Sequence, residues 1–402
     1  MNIFSKFYCR TYQMIFKVFL PFLPYREPVV LNNESDIFET LKKENLSKIM
    51  LVTDENIRAL GLTASIESKL KNFVELTVYD KVQINPTTNN VEDAVKEYEI
   101  NGCEGIIAFG GGSVIDCAKA IGACVVSPHK SILDMKGLLK INKKTPVMIA
   151  VPTTAGTGSE ATLAAVITDS ETKIKFTIND FDLIPDYALL DPKLTVGLPP
   201  EFTATTGMDA LTHAVEAFIG KTTTKTTRKY ALEAIKLIFE NLEKAYTNGE
   251  DLEARENMLK ASFMAGLAFS KSYVGYVHAI AHSLGGKYNI PHALANSILL
   301  PCLLRFYGKS VYKKLWKIGK YAGLFDKQES YENGARKVIE KIERMNKAMK
   351  IQVSFDCIED KDIPSMAKTA AEEANPLYPV PKLFSAKELE KVYHIVKGDR
   401  NK

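Results

Sequence analysis

The chain predicts an α/β nucleotide-binding domain followed by an all-helical domain. Three observations carry this expectation. Short apolar runs alternate with helical stretches from about Pro28 up to the double proline Pro199-Pro200. One of those runs ends in three glycines and a serine, Gly110 to Ser113. Beyond the double proline, strand signals give way to long amphipathic helical runs.

The segment 1–27 reads as an apolar N-terminal helix or extension. Phe4, Phe7, Tyr8, Ile15, Phe16, Phe19, Leu20, Phe22 and Leu23 are apolar, and Lys6, Arg10 and Lys17 interrupt them. That run is too short and too charged to span a bilayer, and no small-residue cleavage site follows it. A helix docked on its own protein or on a second subunit is the expectation, and a helix lying on a membrane surface is the alternative.

Residues 28–199 read as the α/β domain. Apolar β runs cover 48–53, 74–79, 105–109 and 147–151, with helical stretches at 91–99 and 113–125. Short apolar strands separated by helices argue for a parallel sheet covered on both faces. Residues 200–402 read as a helical, metal-binding domain, with amphipathic runs at 229–246, 252–271, 331–349, 363–374 and 386–397.

Composition bounds the function. The 402 residues are enough for two to three domains, and 46% hydrophobic with 25% charged residues is ordinary for a globular protein. A net charge of +4, with no basic stripe interleaved with aromatics, argues against nucleic acid. The 6 cysteines are scattered without a CxxC pair, which points to a reduced, cytoplasmic compartment.

Chemistry is concentrated in two places. At the Gly110-Gly111-Gly112-Ser113 turn a strand runs into a helix, so backbone can approach a phosphate beside free helix N–H groups. The GxGxxG fingerprint is absent, and a plain tight turn would read the same way. Thr53-Asp54 closes an earlier strand and Pro152 to Glu160 a later one. Ligands of open α/β sheets bind at such carboxyl ends, where a carboxylate can take ribose hydroxyls.

The second place is 209–292. Four of the 6 histidines lie there: His213, His278, His282 and His292. Asp209 and His213 are four residues apart, as are His278 and His282, so each pair shares a helix face. A carboxylate and imidazoles converging on one spot make a divalent-metal site.

These residues resemble the iron-containing alcohol dehydrogenases. The likeness runs from about residue 28 to 396. It includes the glycine turn, the Pro152–Glu160 loop, Asp191-Pro-Lys-Leu194, Gly207 to Glu216 and the His278–His292 block. The resemblance implies a dehydroquinate-synthase-like architecture with the site in the cleft between two domains. It implies that Asp209, His213, His278 and His292 bind Fe(II), with Zn(II) equally suited by ligand type alone. His282 would stand beside the metal as proton relay. Asp54, Asn85, Gly111, Gly112, Ser113, Thr153, Thr154, Thr162 and Lys175 would hold the cofactor, and Phe269 and Ala164 would line the substrate pocket. NAD is expected over NADP, because Asp54 would repel a 2′-phosphate.

The activity so implied is reversible oxidation of a primary alcohol to its aldehyde by hydride transfer, in a homodimer without nucleic-acid or membrane partners. Ala164 stands where several relatives carry a polar residue, which favours plain alcohols. Ala293 replaces a common glycine after His292. A maleylacetate-reductase-like enzyme and a dehydroquinate-synthase-like lyase are the alternatives. Both need a cationic site, and Lys271 is the only cation in 263–277.

Overall fold

The computed structural model describes residues 1–398 except 142 and 327. The chain divides into two compact units, Pro24–Gly197 and Met1–Leu23 with Leu198–Lys402. The sequence pointed to divisions at 27/28 and 199/200. The N-terminal segment, read as an apolar helix or extension docked on its own protein or on a second subunit, clusters with the helical unit.

The unit Pro24–Gly197 is built on a six-stranded sheet. In chain order the strands of the unit are β1 (Val29–Leu31), β2 (Lys48–Val52), β3 (Glu75–Tyr79), β4 (Gly105–Gly110), β5 (Gly137–Leu138), β6 (Val147–Pro152), β7 (Ala164–Thr168), β8 (Lys175–Asn179) and β9 (Tyr187–Leu189). The main sheet has the order β1-β9-β6-β4-β2-β3, and every pairing in it is parallel. Alternate strand residues enter two cores, as the twofold side-chain period requires. Met50, Val52, Ile106 and Ala108 meet one helical layer, and Ile49, Leu51, Ile107 and Phe109 meet the other. The apolar runs read from the sequence are therefore strands buried on both faces.

A second, three-stranded sheet, β5-β8-β7, was not expected. Strands β7 and β8 pair antiparallel, with Ala165 opposite Ile178 and Ile167 opposite Phe176. Their alternation of buried and half-exposed positions is the period-2 signal that the sequence reading passed over.

This hairpin is anchored by one buried cation. The helix Gly112–Val126 carries Lys119, which is fully shielded from water. Its Nζ donates to Ser159 O (2.6 Å), Thr162 O (2.9 Å) and Ala164 O (2.9 Å), and contacts the hydroxyls of Ser159 (3.1 Å) and Thr162 (3.0 Å). One turn earlier, Asp116 accepts from Ser159 Oγ (2.5 Å) and Val166 N (3.0 Å). Burial, opposed by Asp116 and Glu160, pulls the Lys119 pKa down to about 8.

The other unit is helical. It holds α1 (Ile3–Phe19) and, after the helices α2 (Ser35–Lys43), α3 (Glu55–Ala59), α4 (Ala64–Leu70), α5 (Thr88–Ile100) and α6 (Gly112–Val126) of the sheet unit, the run α7 (Pro200–Ile219), α8 (Lys225–Thr247), α9 (Leu252–Ser272), α10 (Tyr276–Tyr288), α11 (His292–Tyr307), α12 (Tyr312–Tyr321), α13 (Tyr331–Ala348), α14 (Ile363–Ala374) and α15 (Ala386–Lys397). Pro200 starts α7 at a position where its missing N–H costs nothing. From Gly207 to Ile219 every residue of α7 is buried. A Cβ on Gly207 would stand 2.3 Å from Leu242 Cδ1, so α7 and α8 approach closely because that position is glycine. Among the described residues no helix is long and apolar enough to cross a membrane.

Replacing Lys119 by Met should destabilise the sheet unit by about 3 kcal/mol or more, because the acceptors and Asp116 stay buried without their cation. Urea unfolding followed by circular dichroism would read this as a lower midpoint. An unchanged midpoint would mean that the hairpin does not depend on this lysine.

Candidate metal centre and nucleotide end

Helices α7, α10 and α11 bring three of the expected ligands together. Donor atoms of Asp209, His278 and His292 lie within 4.8 Å of one another. Asp209 Oδ1 is 4.0 Å from His278 Nε2 and 3.8 Å from His292 Nε2. Asp209 and His278 are buried, while His292 is 36% exposed, which leaves that side of the cluster open to solvent.

The nearest donor is the amide of Asn296, one helical turn after His292. Its Nδ2 lies 2.6 Å from Asp209 Oδ1, 3.0 Å from His292 Nε2 and 3.2 Å from His278 Nε2. Two amide protons cannot satisfy three such atoms. Oxygen with imidazole nitrogen converging on one point is a donor set that suits ferrous iron or zinc.

His278 is held from behind. Its Nδ1 is 2.7 Å from Glu216 Oε2, so the proton sits on Nδ1 and the Nε2 lone pair faces the cluster. The same carboxylate accepts from Gly275 N (2.8 Å) and Val277 N (2.9 Å) at the start of α10. Burial pushes the Glu216 carboxyl up to about 7, against the lowering pull of the Val277 and Gly275 N–H groups. Burial, then the neighbouring His213, His292 and His282, holds the His278 imidazole far below its ordinary value, so it is neutral and ready to ligate. Sequence reasoning passed over Glu216, although it lies seven residues after Asp209 and three after His213 and so shares their helix face.

His213 stands differently. Its buried ring is stacked between Phe269 (centroids 4.1 Å apart) and His278 (4.5 Å) and lies outside the three-residue donor cluster. Phe269, expected at the substrate, packs on this ring. His282 lies at the open side, stacked on His292 at 5.2 Å. Its Nδ1 is 2.7 Å from Glu373 Oε1, which also accepts from Tyr378 Oη at 2.8 Å. Glu373 lies 91 residues away along the chain, with no local pattern to mark it.

Asp54, Gly111, Gly112, Thr153 and Thr154 follow the carboxyl ends of β2, β4 and β6 in the main sheet. The chain passes from β2 to β3 on one side and then to β4 on the other, so the topology switches between β2 and β4. Asp54 stands just past β2 and caps α3, accepting from Ile57 N at 2.9 Å through Oδ1. Gly111 caps α6 without a side chain. A Cβ on Gly112 would meet the Thr157 side chain at 2.7 Å, and Thr154 packs on Gly111, so the 152–157 loop lies against the glycine turn. Thr153 N donates to Gly110 O at 3.0 Å.

Asn85, Ser113 and Lys175 also come together. Lys175 Nζ donates to Asn85 Oδ1 at 2.7 Å, and Ser113 Oγ donates to the neighbouring Ile84 carbonyl. Thr162 does not join them, since its buried hydroxyl faces Lys119. Ala164 opens β7 with its carbonyl on the same lysine.

Solved structures place the fold. A 1,3-propanediol oxidoreductase matches with a TM-score of 0.88 and 35% identity over 92% of this chain and 99% of that one. An alcohol dehydrogenase from Oenococcus oeni matches at 0.87 with 31% identity over 92% and 100%. Both neighbours are alcohol-oxidising enzymes by name, which sets the class. A family model described as iron-containing alcohol dehydrogenase matches residues 31–192, and one described as the C-terminal part of the Fe-containing alcohol dehydrogenase family matches 203–396. A 1,3-propanediol dehydrogenase of Citrobacter freundii is 37% identical over 90% of this chain and 94% of its own length. An NAD-dependent methanol dehydrogenase of Bacillus methanolicus is 35% identical over 88% and 93%. The chain belongs to the iron-containing alcohol dehydrogenase family. It is a metal-dependent alcohol dehydrogenase.

Glu216→Gln should weaken metal affinity by about 10–100-fold by unsettling the His278 tautomer. Chelator competition on the purified protein reads this directly. Wild-type affinity in the variant would remove Glu216 from the support of the site.

Proposed function

We propose that this enzyme interconverts a short primary alcohol and its aldehyde with NAD, using ferrous iron held by Asp209, His278 and His292, with His213 as the fourth ligand. The observation that carries the reading is the convergence of one carboxylate and two imidazoles, their donor atoms within 4.8 Å of one another. The names of the propanediol and methanol dehydrogenases among its relatives support a small, uncharged alcohol as substrate. The apolar β-carbon of Ala164 supports plain alcohols over hydroxyaldehydes.

The chain's own residues divide the work. Asn296 keeps Asp209, His278 and His292 at fixed spacing, and Glu216 fixes the face that His278 presents. A bound divalent cation supplies Lewis acidity, able to lower the pKa of bound water to about 7, and the nicotinamide supplies the hydride acceptor. His282 takes the hydroxyl proton. Glu373 holds its Nδ1–H, so Nε2 is the accepting nitrogen, and the carboxylate then stabilises the imidazolium. With 39% of its side chain exposed, His282 can pass that proton to water.

On the cofactor side, the open end of α6 and the backbone of Gly111 and Gly112 suit a pyrophosphate. Asp54 suits unphosphorylated ribose and so NAD over NADP. The unpaired cysteines support a reduced cytoplasm. A homodimer is the assembly the family resemblance favours.

His278→Ala should lose metal and activity together, whereas His282→Ala should keep its metal and lose about 10²–10⁴-fold in kcat. Metal analysis of anaerobically purified protein beside an NADH assay with short alcohols and aldehydes separates the two. Full activity in metal-free His278→Ala protein would overturn the mechanism. The KM for NADH should lie below that for NADPH, and Asp54→Gly should narrow the gap; a lower KM for NADPH in the wild type would reverse the cofactor assignment.

A further inference from the structure

Helix α1 is apolar on its outward face as well as on the face it turns to the protein. A surface helix normally turns its apolar stripe inward. Here the inward face carries Cys9, Gln13, Phe16 and Leu20, and polar side chains make the attachment. Arg10 donates to Val380 O (2.7 Å) and Pro381 O (3.1 Å), and Gln13 donates to Tyr378 O (2.7 Å) and Pro376 O (3.1 Å). Phe16 meets Tyr273 edge-on at 5.2 Å. The outward face is an apolar ridge: Phe4, Phe7, Ile15, Val18 and Phe22 are 82%, 73%, 52%, 62% and 81% exposed. Their successive spacings of three, eight, three and four residues keep them on one side of the helix and the turn that follows it.

The ridge has a charged flank. Lys6 and Lys17 lie along one edge of α1, with Arg10 between them turned to the Val380 and Pro381 carbonyls, and the helix has no acidic residue. Lys17 is also one wall of a cavity of about 350 Å³ whose other cations are Lys221, Arg228, Lys314 and Lys317, with no carboxylate in its lining. Lys314 is fixed there by the last carbonyls of α7, Phe218 O at 3.2 Å and Ile219 O at 2.8 Å. Burial, then Arg228, Lys17, Lys221 and Lys317, pulls its pKa down to about 8. The pocket and the flank form one basic surface beside one apolar ridge.

We propose that this face seats the enzyme on an anionic lipid surface, with the α1 ridge sunk among acyl chains and a phosphate headgroup in the Lys17–Lys221–Arg228–Lys314–Lys317 pocket. An apolar face flanked by cations is the pattern of helices that lie in a membrane interface. A second copy of the chain fits less well. Two copies meeting through this ridge about a twofold axis carry a carboxylate-free cationic pocket at each edge of the contact. Anionic lipid neutralises the pocket and covers the ridge together. The attachment is peripheral, and a homodimer would form through another face.

Co-sedimentation with vesicles tests this on the full-length holoenzyme. Vesicles of phosphatidylcholine with about 30 mol% phosphatidylglycerol should pull down the enzyme at least about tenfold better than phosphatidylcholine alone, and added salt should release it. Phe7→Glu with Val18→Glu, and separately Lys17→Glu with Lys317→Glu, should each cut binding about tenfold or more while leaving alcohol oxidation and thermal stability unchanged. All four side chains are solvent-exposed, so folding is not at stake. Equal binding to both vesicle types, or unchanged binding by either double variant, would overturn the proposal. So would tight binding of inorganic phosphate or glycerol phosphate by an enzyme that ignores vesicles, which would make the pocket a solute site. Dissociation of an oligomer by Phe7→Glu with Val18→Glu, read by light scattering with no vesicle binding by the wild type, would assign the ridge to a second copy instead.

Discussion

A carboxylate shut away from water must be surrounded by donors, and in the helical unit that carboxylate is Glu216. It is 3% exposed and takes Gly275 N, Val277 N and His278 Nδ1. Desolvating such a group without partners would cost several kcal/mol. The chain meets that demand by folding the start of α10 onto α7. A Cβ at 275 would stand 2.6 Å from Glu216 Oε1, so only glycine allows the approach. The residue two before it, Tyr273, has φ 60° and ψ 175°, a conformation that costs a non-glycine residue about 1–3 kcal/mol. Strain at the turn is tolerated because the carboxylate binds the backbone that follows. His278 then faces Asp209 as a result of this closure.

The sheet unit meets the complementary problem. Lys119 is a buried cation that needs acceptors, and the 159–164 segment supplies carbonyls and hydroxyls. That segment continues from the loop that packs on the glycine turn, so the lysine braces the carboxyl end of the sheet at its topological switch. In each unit a single buried charge organises a loop, and each loop leads to residues expected to hold a ligand.

Much of this was readable before the fold was known, and the boundary between what was and was not readable is physical. Strands β2, β4 and β6 announce themselves because burial on both faces makes them continuously apolar. Asp209, His213, His278 and His292 stand out because histidine is scarce and helical spacing is a local rule. The hairpin of β7 and β8 has a half-polar pattern that its two-residue alternation marks only faintly. Glu373 and Asn296 act through distances set by packing, and nothing in their neighbours signals it. Thr162 lies in a loop that pointed to the cofactor, but the structure turns its hydroxyl to a lysine that sequence order places 43 residues earlier. His213 shows the limit most clearly: its position along α7 is legible, while the stacking of its ring between Phe269 and His278 depends on α9 and α10.

The grip of Gln13 on Tyr378 links the amino-terminal helix to the Glu373–His282 pair. Gln13 binds the carbonyl of Tyr378, and the hydroxyl of Tyr378 binds the carboxylate that orients His282. The first helix is therefore tied, through two hydrogen bonds and a carboxylate, to the ring orientation of His282. Trimming it to improve expression would uncover four backbone carbonyls and slacken the tyrosine whose hydroxyl shares Glu373 with His282.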